Sequence, residues 1–164
     1  MHTEAFGAGV NNITVFFRGY KTNMHAAWDT AIPNAMLGFG PAANITAGDS
    51  LGWANNLAAK INGGEFKPLV ARWLKHHSVK DRKASERAAT AWSNESNDEV
   101  CNYALLKQPD SYNATEIAGA YYEGAKPIIE LSVAKAGVRL AAWLNLVFDG
   151  QTGFEDEKKG KSRW

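Results

Sequence analysis

His25 and Asp29 stand four residues apart in the stretch Thr22-Asn-Met-His-Ala-Ala-Trp-Asp-Thr30. On a helix that spacing projects both side chains from one face. An imidazole nitrogen and a carboxylate oxygen converging there are two good zinc ligands. A third ligand from elsewhere would leave one coordination position open for water or substrate. An open position lets a bound metal take a phosphate oxygen or a leaving group. The same spacing also describes an ordinary salt-bridged surface pair, so the motif by itself leaves both readings open. Elsewhere the chemistry is sparse. Cys101 is the single cysteine, and a lone cysteine usually packs as a small apolar residue. His76-His77 has no carboxylate or cysteine at ligand spacing and reads as a solvated helix end.

The elements that must position His25 and Asp29 are readable from periodicity. Gly7, Gly9 and Asn11-Asn12 form a loop, after which Ile13, Val15 and Phe17 alternate as in a short strand. Thr22 or Asn23 caps a helix that carries His25, Trp28 and Asp29 and ends before Pro33. Residues 34–46 read as loop. A helix over Ala47–Ile61 stops at Gly63-Gly64, and another runs from Lys67 to His77 with Pro68 in its first turn. A fourth spans Asp81–Leu106. Ser111–Thr115 starts a short helix, and Pro127 restarts it as a long apolar helix to Phe148. Trp28, Trp53, Trp73, Trp92 and Trp143 fall at helical spacing and read as core. The tail from Gly150 to Trp164 is mostly charged and aperiodic, and is expected to be disordered. The fold class expected is mainly α: a single helical domain over residues 1–148, with a short β-hairpin-like segment near the N-terminus, and a tail over 149–164.

Composition narrows the function classes. The 164 residues are enough for one domain with its own core. An apolar fraction of 45% with mixed charges is that of a soluble globular chain. A net charge of +1 argues against a protein that coats nucleic acid by neutralising phosphates. It says nothing against an enzyme that holds phosphate on metal ions. No apolar run reaches the length of a membrane span, so no membrane partner is expected. Sequons at Asn12, Asn44, Asn94 and Asn113 exceed the roughly one expected by chance. They favour a secreted, extracellular glycoprotein. Met1-His-Thr-Glu has neither the basic start nor the apolar stretch of a signal peptide. The chain is therefore expected to be the later part of a longer secreted protein.

Several stretches, in order, resemble the S1/P1 family of zinc-dependent single-strand-specific nucleases and 3′-nucleotidases of fungi and plants. Its Gln-Pro-(Leu/Met)-His-x-Glu segment, Gly-Gly-Asn loop, short strand and Thr-Asn-Leu-His-x-x-Trp-Asp have counterparts here. They are Met1-His-Thr-Glu, Gly9-Val-Asn-Asn, Ile13-Thr-Val-Phe-Phe-Arg-Gly-Tyr and Thr22-Asn-Met-His-Ala-Ala-Trp-Asp. The likeness continues at Trp92-Ser-Asn-Glu-Ser, Cys101, Tyr121-Tyr-Glu and Ala134-Lys-Ala-Gly-Val-Arg-Leu-Ala-Ala-Trp-Leu-Asn. It covers about residues 1–148.

The resemblance implies a phospholipase C/nuclease-like helical fold, truncated, and a centre of three zinc ions. His2, His25 and Asp29 would be the complete protein ligand set of one ion, the ligands of the other two lying upstream of this segment. Cys101 would form a disulfide with a cysteine of that missing N-terminal half. Tyr20 sits where some members stack a nucleobase, although an aromatic closing a strand fits as well. The implied activity is hydrolysis of phosphodiester bonds in single-stranded RNA or DNA and of 3′-nucleotides, with this chain alone keeping one half-site. The competing expectation is a non-catalytic binding or self-assembling module on the inherited fold. Either way, a helical nuclease cut near its middle should expose an apolar face. The missing half or another copy of the chain would cover it.

Overall fold

In a computed structural model that describes residues 7–75, 82–107 and 109–154, a single helical turn, α1 (Gly7–Val10), leads into an antiparallel hairpin. Strand β1 (Thr14–Phe17) pairs with β2 (Tyr20–Asn23) in a register that sets Phe17 opposite Tyr20. The two-residue loop between them, Arg18-Gly19, has φ of 54° and 75°. Two positive φ values are the mark of a type I′ turn, whose twist matches that of the strands. Val15 and Phe17 are fully buried, as their alternation required. The Glu116 carboxylate accepts hydrogen bonds from the Arg18 and Gly19 N–H groups (3.0 Å each) and from Ala118 N–H (2.8 Å), so it holds the turn.

Glu116 belongs to a third strand, β3 (Thr115–Glu116), parallel to β1, giving the sheet order β2-β1-β3. A short helix was expected from Ser111. Instead a 3-10 turn, Pro109–Tyr112, is broken at Ala114, which has φ of 59°, and the chain joins the sheet through Ala114 N–H to the Thr14 carbonyl.

Helix α2 follows β2 at once and runs over residues 24–36: an α-turn Met24–Ala26, a π-turn Ala27–Ala31, then Ile32–Met36. Its expected end before Pro33 is overturned. The wider π-turn carries the bond from Ile32 N–H to the Ala27 carbonyl, so Pro33 sits in the first turn of a fresh α segment, where its missing N–H is harmless. The expected loop from residue 34 accordingly starts at Leu37. The buried Asn34 pins it by donating to the Ala43 carbonyl at 2.8 Å.

Helix α3 (Ala47–Asn62) opens with a capping box between Thr46 and Asp49. A 3-10 turn, Lys67–Leu69, precedes the short α4 (Val70–Trp73), and His76 and His77 lie outside the described residues. Helix α5 (Arg82–Glu99) continues through a second π-turn, Val100–Ala104. Helix α6 (Ala120–Phe148) passes straight through Pro127 rather than restarting there; only the Glu123 carbonyl is left without its helical N–H.

Two apolar clusters share α6. The first joins the hairpin and α2 to Tyr122, Ala125 and Ile129 of α6. The second joins Leu57, Phe66, Val70 and Trp73 to Ala134 and Val138. Helix α5 docks on α6 through an edge-on Trp92–Trp143 contact and through Glu95, which ion-pairs with Lys135 and Arg139. Of the tail expected to be disordered, residues 150–154 instead fold back. Asn145 donates to the Thr152 carbonyl at 2.9 Å and Phe154 packs on the second cluster. Residues 155–164 lie outside the described residues.

Helix α6 is 29 residues long with a hydropathy of 1.3, enough by length and composition to cross a membrane. Six of its residues, Tyr122, Ala125, Ile129, Ala134, Val138 and Ala142, are buried and Lys135 and Arg139 are ion-paired, but only 17% of its most apolar stretch is buried. Val133, Leu140, Leu144, Val147 and Phe148 stay exposed, the last at 80%. At steps of seven, four and three or four they form one stripe along the helix.

A candidate metal half-site on helix α2

The start of α2 is tied down from three sides. Asn23 caps it, its side-chain oxygen accepting from Ala26 N–H at 2.8 Å. Met24 N–H donates to the Ile13 carbonyl at 2.9 Å, and the Met24 side chain is fully buried. One residue on, the ring of His25 approaches the Gly9 carbonyl through Nδ1 at 3.0 Å. A carbonyl oxygen can only accept, so the hydrogen is on Nδ1. His25 Nε2 then faces Asp29 Oδ2 at 2.8 Å, with the His25 side chain 17% exposed and that of Asp29 64% exposed.

This donor chemistry suits a cation. With Nδ1–H donated to the backbone, Nε2 of a neutral ring and the Asp29 carboxylate both present lone pairs to the same point. At 2.8 Å the two atoms stand at direct hydrogen-bond distance; a zinc ion at about 2.0–2.2 Å from each would sit to one side of the line that joins them. Orienting a ligating imidazole through a backbone carbonyl on its far nitrogen is the usual way proteins fix the ligating tautomer. The residues present therefore fit one side of a zinc site. They fit a histidine–aspartate ion pair equally well, as the spacing alone had left open.

Behind the pair lies an aromatic cluster that sequence reasoning missed. Trp28 Nε1–H donates to Tyr121 Oη at 2.7 Å, and Tyr121 Oη donates in turn to the Ala104 carbonyl at 2.9 Å. Tyr103 Oη donates to the Tyr121 carbonyl at 2.6 Å. Burial pushes the Tyr121 phenol far above its usual range, so it remains a donor. Pro33 right after the motif was the available signal that this helix is not regular. Nothing in the periodicity pointed to Tyr121.

His2 lies outside the described residues, and among the described residues no group of three or more His, Cys, Asp and Glu side chains is gathered. Tyr20 is exposed at the start of β2, on the same arm of chain that leads into His25. Cys101 is an exposed free thiol in the second π-turn, not the buried filler that a lone cysteine usually is. Asn12, Asn44, Asn94 and Asn113 are all exposed.

The S1/P1 Nuclease family matches residues 1–149. The chain belongs to this family. It is 32% identical to Nuclease P1 of Penicillium citrinum over 145 residues, covering 88% of this chain and 51% of that protein. Against Nuclease S1 of Aspergillus oryzae the identity is 32% over 147 residues, covering 90% and 48%. Against Endonuclease 5 of Arabidopsis thaliana it is 29% over 153 residues, covering 92% and 47%. The chain spans about half the length of the curated relatives it matches.

Proposed function

We propose that residues 1–148 are the C-terminal portion of a zinc nuclease that hydrolyses phosphodiester bonds in single-stranded RNA and DNA, and 3′-nucleotides. In this reading His2, His25 and Asp29 hold one zinc ion, and the preceding half of the protein supplies the ligands of the others. The observation that carries it is the convergence of His25 Nε2 and Asp29 Oδ2 at 2.8 Å, with Nδ1 committed to the Gly9 carbonyl. When bound, zinc supplies Lewis-acid stabilisation of a phosphate oxygen and of the leaving 3′ oxygen.

The chain's own residues have simpler tasks. The Gly9 carbonyl, accepting from Nδ1–H, fixes the tautomer that turns His25 Nε2 toward Asp29. Asp29 brings a negative charge that offsets the metal's, and its exposure leaves room for substrate on the solvent side. Tyr20 offers an exposed ring for a base on the strand that leads into His25. In the same reading Cys101 is cross-linked to the preceding half and Asn12, Asn44, Asn94 and Asn113 carry the glycans of a secreted protein, which their exposure supports.

The test is zinc titration of the 164-residue chain by calorimetry. We expect one zinc per chain, with affinity lowered at least about a hundredfold by Asp29→Asn, since loss of an outer partner alone costs 10- to 100-fold. We also expect almost no cleavage of single-stranded RNA by this chain alone, because the parts of such a centre act as a unit. Zinc-dependent cleavage that Asp29→Asn abolishes would place the whole centre in this half. The second reading, a self-assembling module, is favoured by the exposed stripe on α6 and predicts assembly with no zinc affinity.

A further inference from the structure

Asp29 is the less constrained half of the pair: its side chain is 64% exposed, so little packing fixes where its carboxylate goes. Its direction is set by the backbone of the π-turn Ala27–Ala31. A π-turn is a rare, single-turn departure from the α-helix that is frequent at functional sites. The contact adjacent to Asp29 is Trp28. Its indole meets the rings of Tyr121 and Tyr103 edge-on, at 6.2 Å in each case, and its only N–H donor goes to Tyr121 Oη.

Tyr121 Oη is itself held. It donates a hydrogen bond to the carbonyl of Ala104, the last residue of the second π-turn, and Tyr103 from that turn donates to the Tyr121 carbonyl. One hydroxyl thus bridges two π-turns, Ala27–Ala31 and Val100–Ala104, that are far apart in sequence. Gly124 keeps the bridge closed: a Cβ there would collide with the ring and hydroxyl of Tyr103.

We propose that Tyr121 is a positioning residue for the metal half-site, acting through Trp28 to aim Asp29 at His25. The inference rests on the half-site reading above. Without the hydroxyl, the indole N–H loses its acceptor and the Ala104 carbonyl its donor. The Ala27–Ala31 turn then loses the side-chain bond that ties it to α6 and to the second π-turn, and the direction of Asp29 is no longer fixed.

Cobalt(II) titration of the 164-residue chain, followed through the visible absorption of the bound ion, tests this. Tyr121→Phe should bind cobalt roughly tenfold more weakly, with a changed band shape and an unchanged far-ultraviolet circular dichroism spectrum. Trp28→Phe, which removes the donor and keeps a ring, should show the same loss. The double variant should be no weaker than the weaker single one, because both cut one chain of contacts. Wild-type affinity and band shape in Tyr121→Phe, with only the metal-free melting temperature lowered, would make Tyr121 merely structural and overturn the inference. Should Tyr121→Phe fail to fold, Trp28→Phe decides by the same two readouts. A wild-type chain that binds no cobalt would instead overturn the half-site itself.

Discussion

His25 and Asp29 could be singled out from residue type and spacing because the helix that joins them is local. Glu116 and Tyr121 could not, because their partners lie about 90 residues away. Glu116 yields a prediction at this scale. Burial raises its carboxyl pKa, but hydrogen bonds from the N–H groups of Gly19, Ala118, Arg18 and Ile117 outweigh that and hold it below the usual carboxylate range. A group depressed in the folded state stabilises above its unfolded pKa, about 4.3. That contribution is lost as pH falls through the lower folded value. Glu116→Gln should therefore melt below wild type at pH 7, with the gap closing progressively below about pH 4. Glu95 is a second acid-sensitive group: burial raises its pKa, but Lys135 and Arg139 outweigh that. It is present in both proteins and cancels from the difference. A gap that stays constant from pH 7 to pH 3 would mean that the Glu116 charge plays no part.

At the scale of elements, the hairpin and α3 were legible because alternation and a Gly-Gly stop are local signals, and α3 follows the predicted span closely. The helix carrying the site was legible in its cap at Asn23 but not in its end. Pro33 reads as a terminator only if the preceding turn is α, and here it is π. β3 was missed for a related reason: two residues are too few to show a period, and their strand state comes from β1. Gly124 carries the prediction for this scale. Since Tyr103 leaves no space for a methyl group there, Gly124→Ala should destabilise the chain by about 1–3 kcal/mol, the usual range for overpacking. The gain of about 1 kcal/mol in helix propensity from Gly to Ala works against this loss. Urea unfolding measures the balance, and a variant as stable as wild type would show that Tyr103 swings away freely.

At the scale of the molecule, one surface is left uncovered by the described residues. Val133, Leu140, Leu144, Val147 and Phe148 line one side of α6, beside a groove of about 870 Å³ between α5 and α6 that Trp92, Leu140 and Trp143 help to line. Monomeric proteins rarely keep contiguous apolar patches of this kind in water. Relatives about twice as long have further chain that could pack there, and another copy of this chain is a second source of cover. We therefore expect the isolated chain to self-associate, with multi-angle light scattering giving a mass above 17.9 kDa that rises with concentration. Leu140→Glu together with Leu144→Lys should restore the monomer. Both side chains already face solvent, so helix content and melting temperature should change little. The two positions also lie on the half of α6 that packs away from α2, so zinc affinity at His25 and Asp29 should be unchanged. A wild-type chain that stays monomeric at high concentration would show that the stripe needs no cover. If the double variant instead lost zinc along with self-association, assembly would have been completing the metal site, and a second copy would be contributing a ligand.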